Sequence, residues 1–303
     1  MRPPANGSRR PASSRHCFPS ERVGGEMDAP EQREGYEQWQ ELAPRWDRGR
    51  DLLWASTRPV SEWLVAKLDP QPGQTILDVA AGTGETGFLA AERLGGAGKL
   101  ISSDLSPNML EAAARVARQL GVTNVEFRVL DAERLELADR SVDGVLCRFG
   151  YILKGDPPAA LGELRRVLRP GGRLAFSVWG ERSRNAWMTV PASVMVDRGH
   201  LRPPSADEIR TSEKRNPETI ARLLKEAGFA GPEIEEMPVS YRFADSKQLW
   251  FFISELRGPV ALALARLDDA ERDAVRAAIE ERARPVEGGG FELGGISLNV
   301  ATS

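Results

Sequence analysis

Three glycines and three carboxylates between residues 78 and 131 hold the chemistry most readily read from this chain. Gly82, Gly84 and Gly87 stand in a G-x-G-x-x-G spacing, after the apolar run Thr75–Val79 and before a helical pattern that continues through Leu94. Between a strand and a helix, glycines let the backbone approach a ligand closely. Asp78 lies in the approach to that turn. Asp104 closes a second short strand, Lys99–Ser103, and Asp131 closes a third, Val125–Leu130. In sheets of alternating strands and helices, ligands lie outside the carboxyl ends of the strands. Three carboxylates at successive strand ends therefore face one cleft, although a lone Asp at a strand end is often only a turn former.

The glycine spacing by itself fits a dinucleotide, whose pyrophosphate would sit on the helix N-terminus. Asp78 opposes that reading, because a carboxylate beside a pyrophosphate is repulsive. The same carboxylate suits S-adenosyl-L-methionine, which carries an ammonium and a sulfonium. Asp104 suits a ribose diol, and Asp131 suits the adenine amine. An NAD(P)-dependent oxidoreductase is the alternative that the glycine loop keeps open, and a non-catalytic cofactor-binding member of the same fold is another.

The elements that must position these groups follow from periodicity. Ser106 is placed to cap the next helix, with Pro107 at its first position. On that helix Met109, Ala113, Val116, Ala117 and Leu120 share a face. Val142–Cys147 reads as a fourth strand. Leu161, Leu164, Val167 and Leu168 mark a further helix, stopped by Pro170-Gly171-Gly172, and Leu174–Trp179 reads as a fifth strand. Strands alternating with helices predict an α/β, Rossmann-like, mostly parallel sheet with helices on both faces. Later in the chain, Asn185–Val196 and Pro217–Gly228 read as helices and Ile234–Phe243 as a strand. Ser246–Arg284 reads as a helical stretch broken near Gly258-Pro259, and Phe291–Ala301 as a terminal strand. The expectation is seven strands and a helical cap. Residues 1–26 read as a disordered tail, 27–74 as a helical segment over the cleft, and 75–303 as the main domain. The cap insertions fall at about 181–215 and 246–284.

Composition excludes several classes. The 303 residues carry 41 Lys+Arg against 44 Asp+Glu, a net charge of −3. That balance does not favour a nucleic-acid partner working through a basic surface. No apolar run approaches the ~20 residues of a membrane span, so no integral membrane association is expected and the location is read as cytoplasmic. With two cysteines, Cys17 and Cys147, and two histidines, His16 and His200, neither a disulfide framework nor a clustered metal site is expected.

The residues resemble a known family. Leu77-Asp78-Val79-Ala80-Ala81-Gly82-Thr83-Gly84 is similar to motif I of the class I S-adenosylmethionine-dependent methyltransferases. Asp104-Leu105-Ser106-Pro107-Asn108-Met109 resembles their second motif, and Asp131-Ala132-Glu133 their adenine-contacting segment. Leu168-Arg169-Pro170-Gly171-Gly172-Arg173-Leu174 resembles the turn before their fifth strand. The ubiquinone/menaquinone-biosynthesis-like (type 11) subgroup is the nearest, and the motifs cover residues 75–180. The resemblance implies that Gly82, Thr83 and Gly84 wrap the methionyl part of the cofactor with Asp78 near its amino group, and that Ala80 belongs to the same cofactor site. It implies that Asp104, with Leu105 and Met109 beside it, takes the ribose, and that Asp131 and Ala132 take adenine. Arg148 and Phe149 line the cofactor and acceptor side. Trp46, before the sheet, resembles the segment that folds over the cofactor. Cys147-Arg148-Phe149-Gly150-Tyr151 departs from the Asn-Pro-Pro-Tyr pattern of amino-methylating nucleic-acid enzymes, so a small-molecule methyl acceptor is expected. Tyr151 and His200 are the candidate general bases. Tyr151, Trp187, Met188, Trp250 and Phe251 are the candidate acceptor pocket, since such pockets are mostly apolar and aromatic.

Overall fold

The computed structural model describes residues 30–150, 152–153, 155–206, 208–209, 216–256 and 258–303. The predicted tail, 1–26, lies outside them.

Short apolar runs bounded by glycine turns become the strands β1 (Thr75–Val79), β2 (Lys99–Asp104), β3 (Val125–Val129), β4 (Val142–Arg148) and β5 (Leu168–Trp179). These five pair in parallel, in the order β3-β2-β1-β4-β5. The chain then turns back. β6 (Glu233–Phe243) forms the far edge, and β8 (Phe291–Thr302) slots antiparallel between β5 and β6. Seven strands make the continuous path, as the sequence predicts. An eighth, β7 (Arg284–Pro285), is a two-residue pairing onto the start of β8. The fifth strand begins at Leu168 rather than Leu174, because the Pro170-Gly171-Gly172 segment still belongs to the strand after a register shift opposite Val142–Gly144.

Period-two alternation sends neighbouring residues of each strand to opposite faces. On one face Ile76, Leu100, Leu146 and Ala175 are buried against α1 (Pro30–Leu68), α2 (Glu85–Leu94) and α3 (Pro107–Leu120). On the other, Leu77, Val145, Leu174 and Phe176 are buried with residues of α4 (Pro157–Val167) and α6 (Pro217–Glu226). Ser106 caps α3 by accepting from the Met109 amide at 3.2 Å, with Pro107 in the first turn. The segment preceding the sheet is one 39-residue helix that contains Pro44 and Pro59. Proline inside a helix normally breaks it. Here Val60, Leu64, Val65 and Leu68 are buried in the same core as Ile76 and Phe88, and tertiary packing carries the helix through.

The late elements are α5 (Ala186–Asp197), α7 (Ser246–Phe251), a π turn at Phe252–Leu256, α8 (Gly258–Leu264) and α9 (Asp269–Arg282). The predicted helical stretch thus changes to a π turn at Phe252–Leu256 and is interrupted after Leu264; the residue just before the predicted break at Gly258-Pro259 lies outside the described residues. The late elements pack around the β6 and β8 end of the sheet, and α1 contacts the π turn. Gly49 permits that contact: a Cβ there would stand 2.5 Å from a Leu256 methyl.

Candidate functional site at the carboxyl ends of the strands

β1 ends at Val79, and the chain reverses through three left-handed residues: Ala80 (φ 53°), Gly82 (φ 57°) and Gly84 (φ 91°). Left-handed backbone costs an alanine roughly 1–2 kcal/mol. The Ala81 amide donates to the Ser103 carbonyl at 2.9 Å and the Gly82 amide to Asp104 Oδ2 at 2.9 Å, which ties the loop to the end of β2. The other Asp104 oxygen accepts from the Ser106 amide at 2.9 Å. Desolvation raises the pKa of Asp104, and the Ser106, Gly82 and Leu105 amides oppose the rise. A Cβ on Gly82 would meet nothing within 4 Å, so that glycine borders open space as well as taking a left-handed turn.

Asp78 is the unusual group. It is 1% exposed, and neither carboxylate oxygen meets a well-formed hydrogen bond among the described residues. Burial lifts its pKa to about 7, against the pull of the Arg148 guanidinium and the Gly87 amide, while Asp104 and Glu85 push with it. Gly87 is there to make room: a Cβ on it would lie 2.6 Å from Asp78 Oδ2. A buried carboxylate so poorly hydrogen-bonded is costly unless a ligand completes it. A cationic ligand does so, and an anionic pyrophosphate does not.

Around Asp78 stands a set of charges that sequence reasoning missed except for Arg148. Arg148 hydrogen-bonds Thr57 of α1, lies 5.9 Å from the centroid of the Trp54 ring, and approaches Glu85 at 4.0 Å. Arg50 reaches Glu85 at 3.9 Å, and Thr83 donates to Glu85 at 2.8 Å. These α1 partners lie far from the residues they meet in sequence, and no local pattern marks them. Trp46 packs half-buried against the core, and its neighbour Asp47 pairs with Arg115 of α3 at 2.8 Å. Gln40 accepts from Ser106 Oγ at 2.5 Å and from the Asn108 amide at 3.2 Å, which holds α1 over the end of β2. Leu105 is half-buried and Met109 fully buried there. The Asp131 carboxylate accepts from the Glu133 amide at 2.9 Å and the Asp131 backbone carbonyl from the Arg134 amide at 3.1 Å, with Ala132 half-buried beside it.

After β4 the chain reverses again at Phe149 (φ 57°), whose amide donates to the Ser177 carbonyl at 3.0 Å. Its ring stacks on Trp179, the last residue of β5, with centroids 4.0 Å apart and planes 5° from parallel. The row continues: Trp179 to Trp187 at 4.5 Å, Trp187 to Tyr241 at 5.5 Å, Tyr241 to Phe252 at 4.8 Å. Trp179 could have been found by the strand-end rule that found Asp104. Of the predicted pocket residues, Trp187 stands in this row. Met188 is half-buried on α5, and Trp250 and Phe251 pack half-buried against the same core, while their neighbour Phe252 is the one that reaches Tyr241. Tyr151 lies outside the described residues. His200 sits just past the end of α5, where its Nε2 meets Glu271 of α9 at 2.7 Å beside the Arg198–Glu271 pair. Cys147 is buried under the site, and burial pushes its thiol pKa well up.

A methyltransferase-domain family model matches residues 70–215. A ubiquinone/menaquinone biosynthesis C-methyltransferase from Acidiphilium cryptum is 34% identical over 204 residues, 62% of this chain and 79% of the relative. The chain belongs to the class I S-adenosylmethionine-dependent methyltransferases. A demethylmenaquinone methyltransferase from Clavibacter sepedonicus is likewise 34% identical, over 196 residues, 61% of this chain and 75% of the relative. Among solved structures, the YcgJ protein from Bacillus subtilis aligns with TM-score 0.54 at 16% identity, covering 81% of this methyltransferase and 97% of that chain. The cofactor of this methyltransferase is S-adenosylmethionine, and the nicotinamide alternative finds no support among the relatives. Among the described residues, no helix is long and apolar enough to cross a membrane.

Proposed function

We propose that this methyltransferase acts on a small, apolar or aromatic metabolite by in-line methyl transfer. The observation that carries the reading is the stacked pair Phe149–Trp179 at the carboxyl ends of β4 and β5, extended by Trp187 and Tyr241. Ligands of such sheets lie at those strand ends, and flat apolar molecules are recognised by aromatic faces. The relative named for demethylmenaquinone is consistent with an acceptor of this kind.

On the cofactor side, the buried carboxylate of Asp78, with no well-formed hydrogen bond among the described residues, fits an ammonium. The left-handed Gly82 and Gly84 let the backbone follow the methionyl chain, with Ala80 and Thr83 completing the turn. Asp104 spends one lone pair of Oδ2 on the Gly82 amide of the loop and one of Oδ1 on the Ser106 amide, and keeps others for a ribose diol. Asp131 and Ala132, beyond β3, fit adenine. Trp46, Leu105, Met109, Arg148 and Phe149 close the walls. When bound, the cofactor supplies an activated methyl group on a sulfonium. The chain's own work is alignment, worth ~7–11 kcal/mol when donor and acceptor are held in line, and exclusion of water by α1 and the cap.

The test is a screen of flat aromatic and prenylated acceptors that reads S-adenosylhomocysteine release, run on the wild type and on Trp179→Ala. Turnover of aromatic acceptors is expected, with Trp179→Ala raising KM by about tenfold, the worth of one lost aromatic contact, at unchanged cofactor affinity. No turnover of any aromatic or prenylated acceptor, or a Trp179→Ala variant with unaltered KM, would sink the proposal.

A further inference from the structure

Asn185 is fully buried in the connector between β5 and α5, and all of its side-chain capacity is spent across three elements. Its Nδ2 donates to the Gly180 carbonyl at 3.2 Å and to the Glu181 carbonyl at 2.8 Å. Its Oδ1 accepts from the Ile296 amide of β8 at 3.1 Å and from the Trp187 indole Nε1 at 3.2 Å. Two donors and two acceptor sites are what an amide offers, so the orientation of the group is fixed on both sides. The partner strand is shaped to receive it. Gly295 lies in β8, opposite Val239 of β6, and its φ is outside the left-handed region that would itself demand glycine. A Cβ at Gly295 would stand 2.5 Å from Asn185 Oδ1, 2.7 Å from Trp187 Cδ1 and 2.9 Å from Trp187 Nε1. The glycine is there for space, and the space is filled by the Asn185–Trp187 pair. Trp187 in turn leans on Trp179 at 4.5 Å with planes 52° apart, and Trp179 lies flat on Phe149.

We infer that Asn185, with Gly295 behind it, is a positioning residue that sets the tilt of Trp187 against Trp179 and thereby the half-buried aromatic surface that the row offers to a flat acceptor. The inference rests on the reading that this aromatic row receives the acceptor. Asn185 touches neither the row's faces nor the cofactor loop; it acts through the Trp187 indole. An amide suits the task better than a carboxylate would: Asp at 185 would keep the acceptor for the indole but set its second oxygen against the two carbonyls of Gly180 and Glu181.

The experiment is calorimetric titration of 1-naphthol, a stable flat aromatic probe, into the full chain saturated with S-adenosylhomocysteine. It is run on the wild type, Asn185→Ala, Gly295→Ala, Trp187→Ala, Trp179→Ala and the double variant Asn185→Ala/Trp187→Ala, with S-adenosylhomocysteine affinity measured for each. Asn185→Ala and Gly295→Ala are each expected to weaken naphthol by about tenfold while cofactor-product affinity stays within about twofold. The double variant should be no weaker than Trp187→Ala alone, because coupled residues are not additive. Gly295→Ala adds one methyl and removes no hydrogen bond, so it carries the test if Asn185→Ala does not fold. Independent, additive losses, or a Gly295→Ala variant that binds naphthol as the wild type does while Trp187→Ala does not, would overturn the positioning role and leave the aromatic-acceptor reading standing. No effect of either Trp187→Ala or Trp179→Ala on naphthol would overturn that reading, and the inference with it.

Discussion

Asp78 concentrates the electrostatics of the site in one titration. Its carboxyl has an ordinary value of 3.8 and a folded value of about 7, raised chiefly by burial. A raised folded pKa means the fold favours the protonated form. The resulting stability is fully present below pH ~4 and is lost as the pH climbs through 7. A cationic ligand reverses the preference, because it favours the carboxylate. The cofactor-free protein is therefore expected to lose thermal stability between about pH 4 and 7 and to level off above, by an amount on the order of 1–3 kcal/mol. The stabilisation that saturating cofactor confers should grow over the same range. Asp78→Asn should flatten the first dependence, melting higher than the wild type at pH 8, and should weaken S-adenosylmethionine binding. Melting curves across pH, with and without cofactor, read both. A variant that binds cofactor as tightly as the wild type would show that Asp78 is not its ammonium partner.

At the scale of elements, α1 determines whether the cleft is walled. It is held at one end by Gln40 on Ser106 and Asn108, in the middle by the Thr57–Arg148 bond and the Gly49–Leu256 contact, and at the far end by Trp63 on Glu235 of β6 at 2.8 Å. Gly49→Val should force α1 off the π turn and destabilise by ~1–3 kcal/mol, the usual cost of overpacking, as measured by chemical denaturation; an unchanged midpoint would mean that Leu256 yields freely. The strands and their Asp-bearing ends were legible in the sequence because strand runs, glycine turns and helix caps are local signals. What escaped it is non-local. The passage of α1 through Pro44 and Pro59 depends on the core it covers. The stacking of Phe149 on Trp179 depends on β4–β5 register, and the fit of Gly295 to Asn185 depends on how β8 returns between β5 and β6. The π turn, which packs against α1, gave no local sign.

For the molecule as a whole, α1 and the sheet share one core rather than meeting as lid and body. Leu64 is buried with Ile76, Phe88, Leu94 and Leu100. Leu64→Ala is expected to cost 2–5 kcal/mol of global stability, with tryptophan fluorescence and far-ultraviolet circular dichroism shifting together; loss confined to one probe would mean that α1 melts separately. The opposite face holds a built-in gauge of that cooperativity. Cys147 lies in β4 at the centre of the sheet, so close beneath the cleft that a Cβ on Gly150 would stand 2.4 Å from its sulfur, and its thiol is held protonated. Thiolate, not thiol, reacts with alkylating reagents. The native protein should thus tolerate oxidants and maleimides at a residue adjoining its working surface. Peptide-resolved alkylation at Cys147 then becomes a clock for the opening of the central strands, running at the rate set by the population of opened molecules, and slowing when cofactor is added.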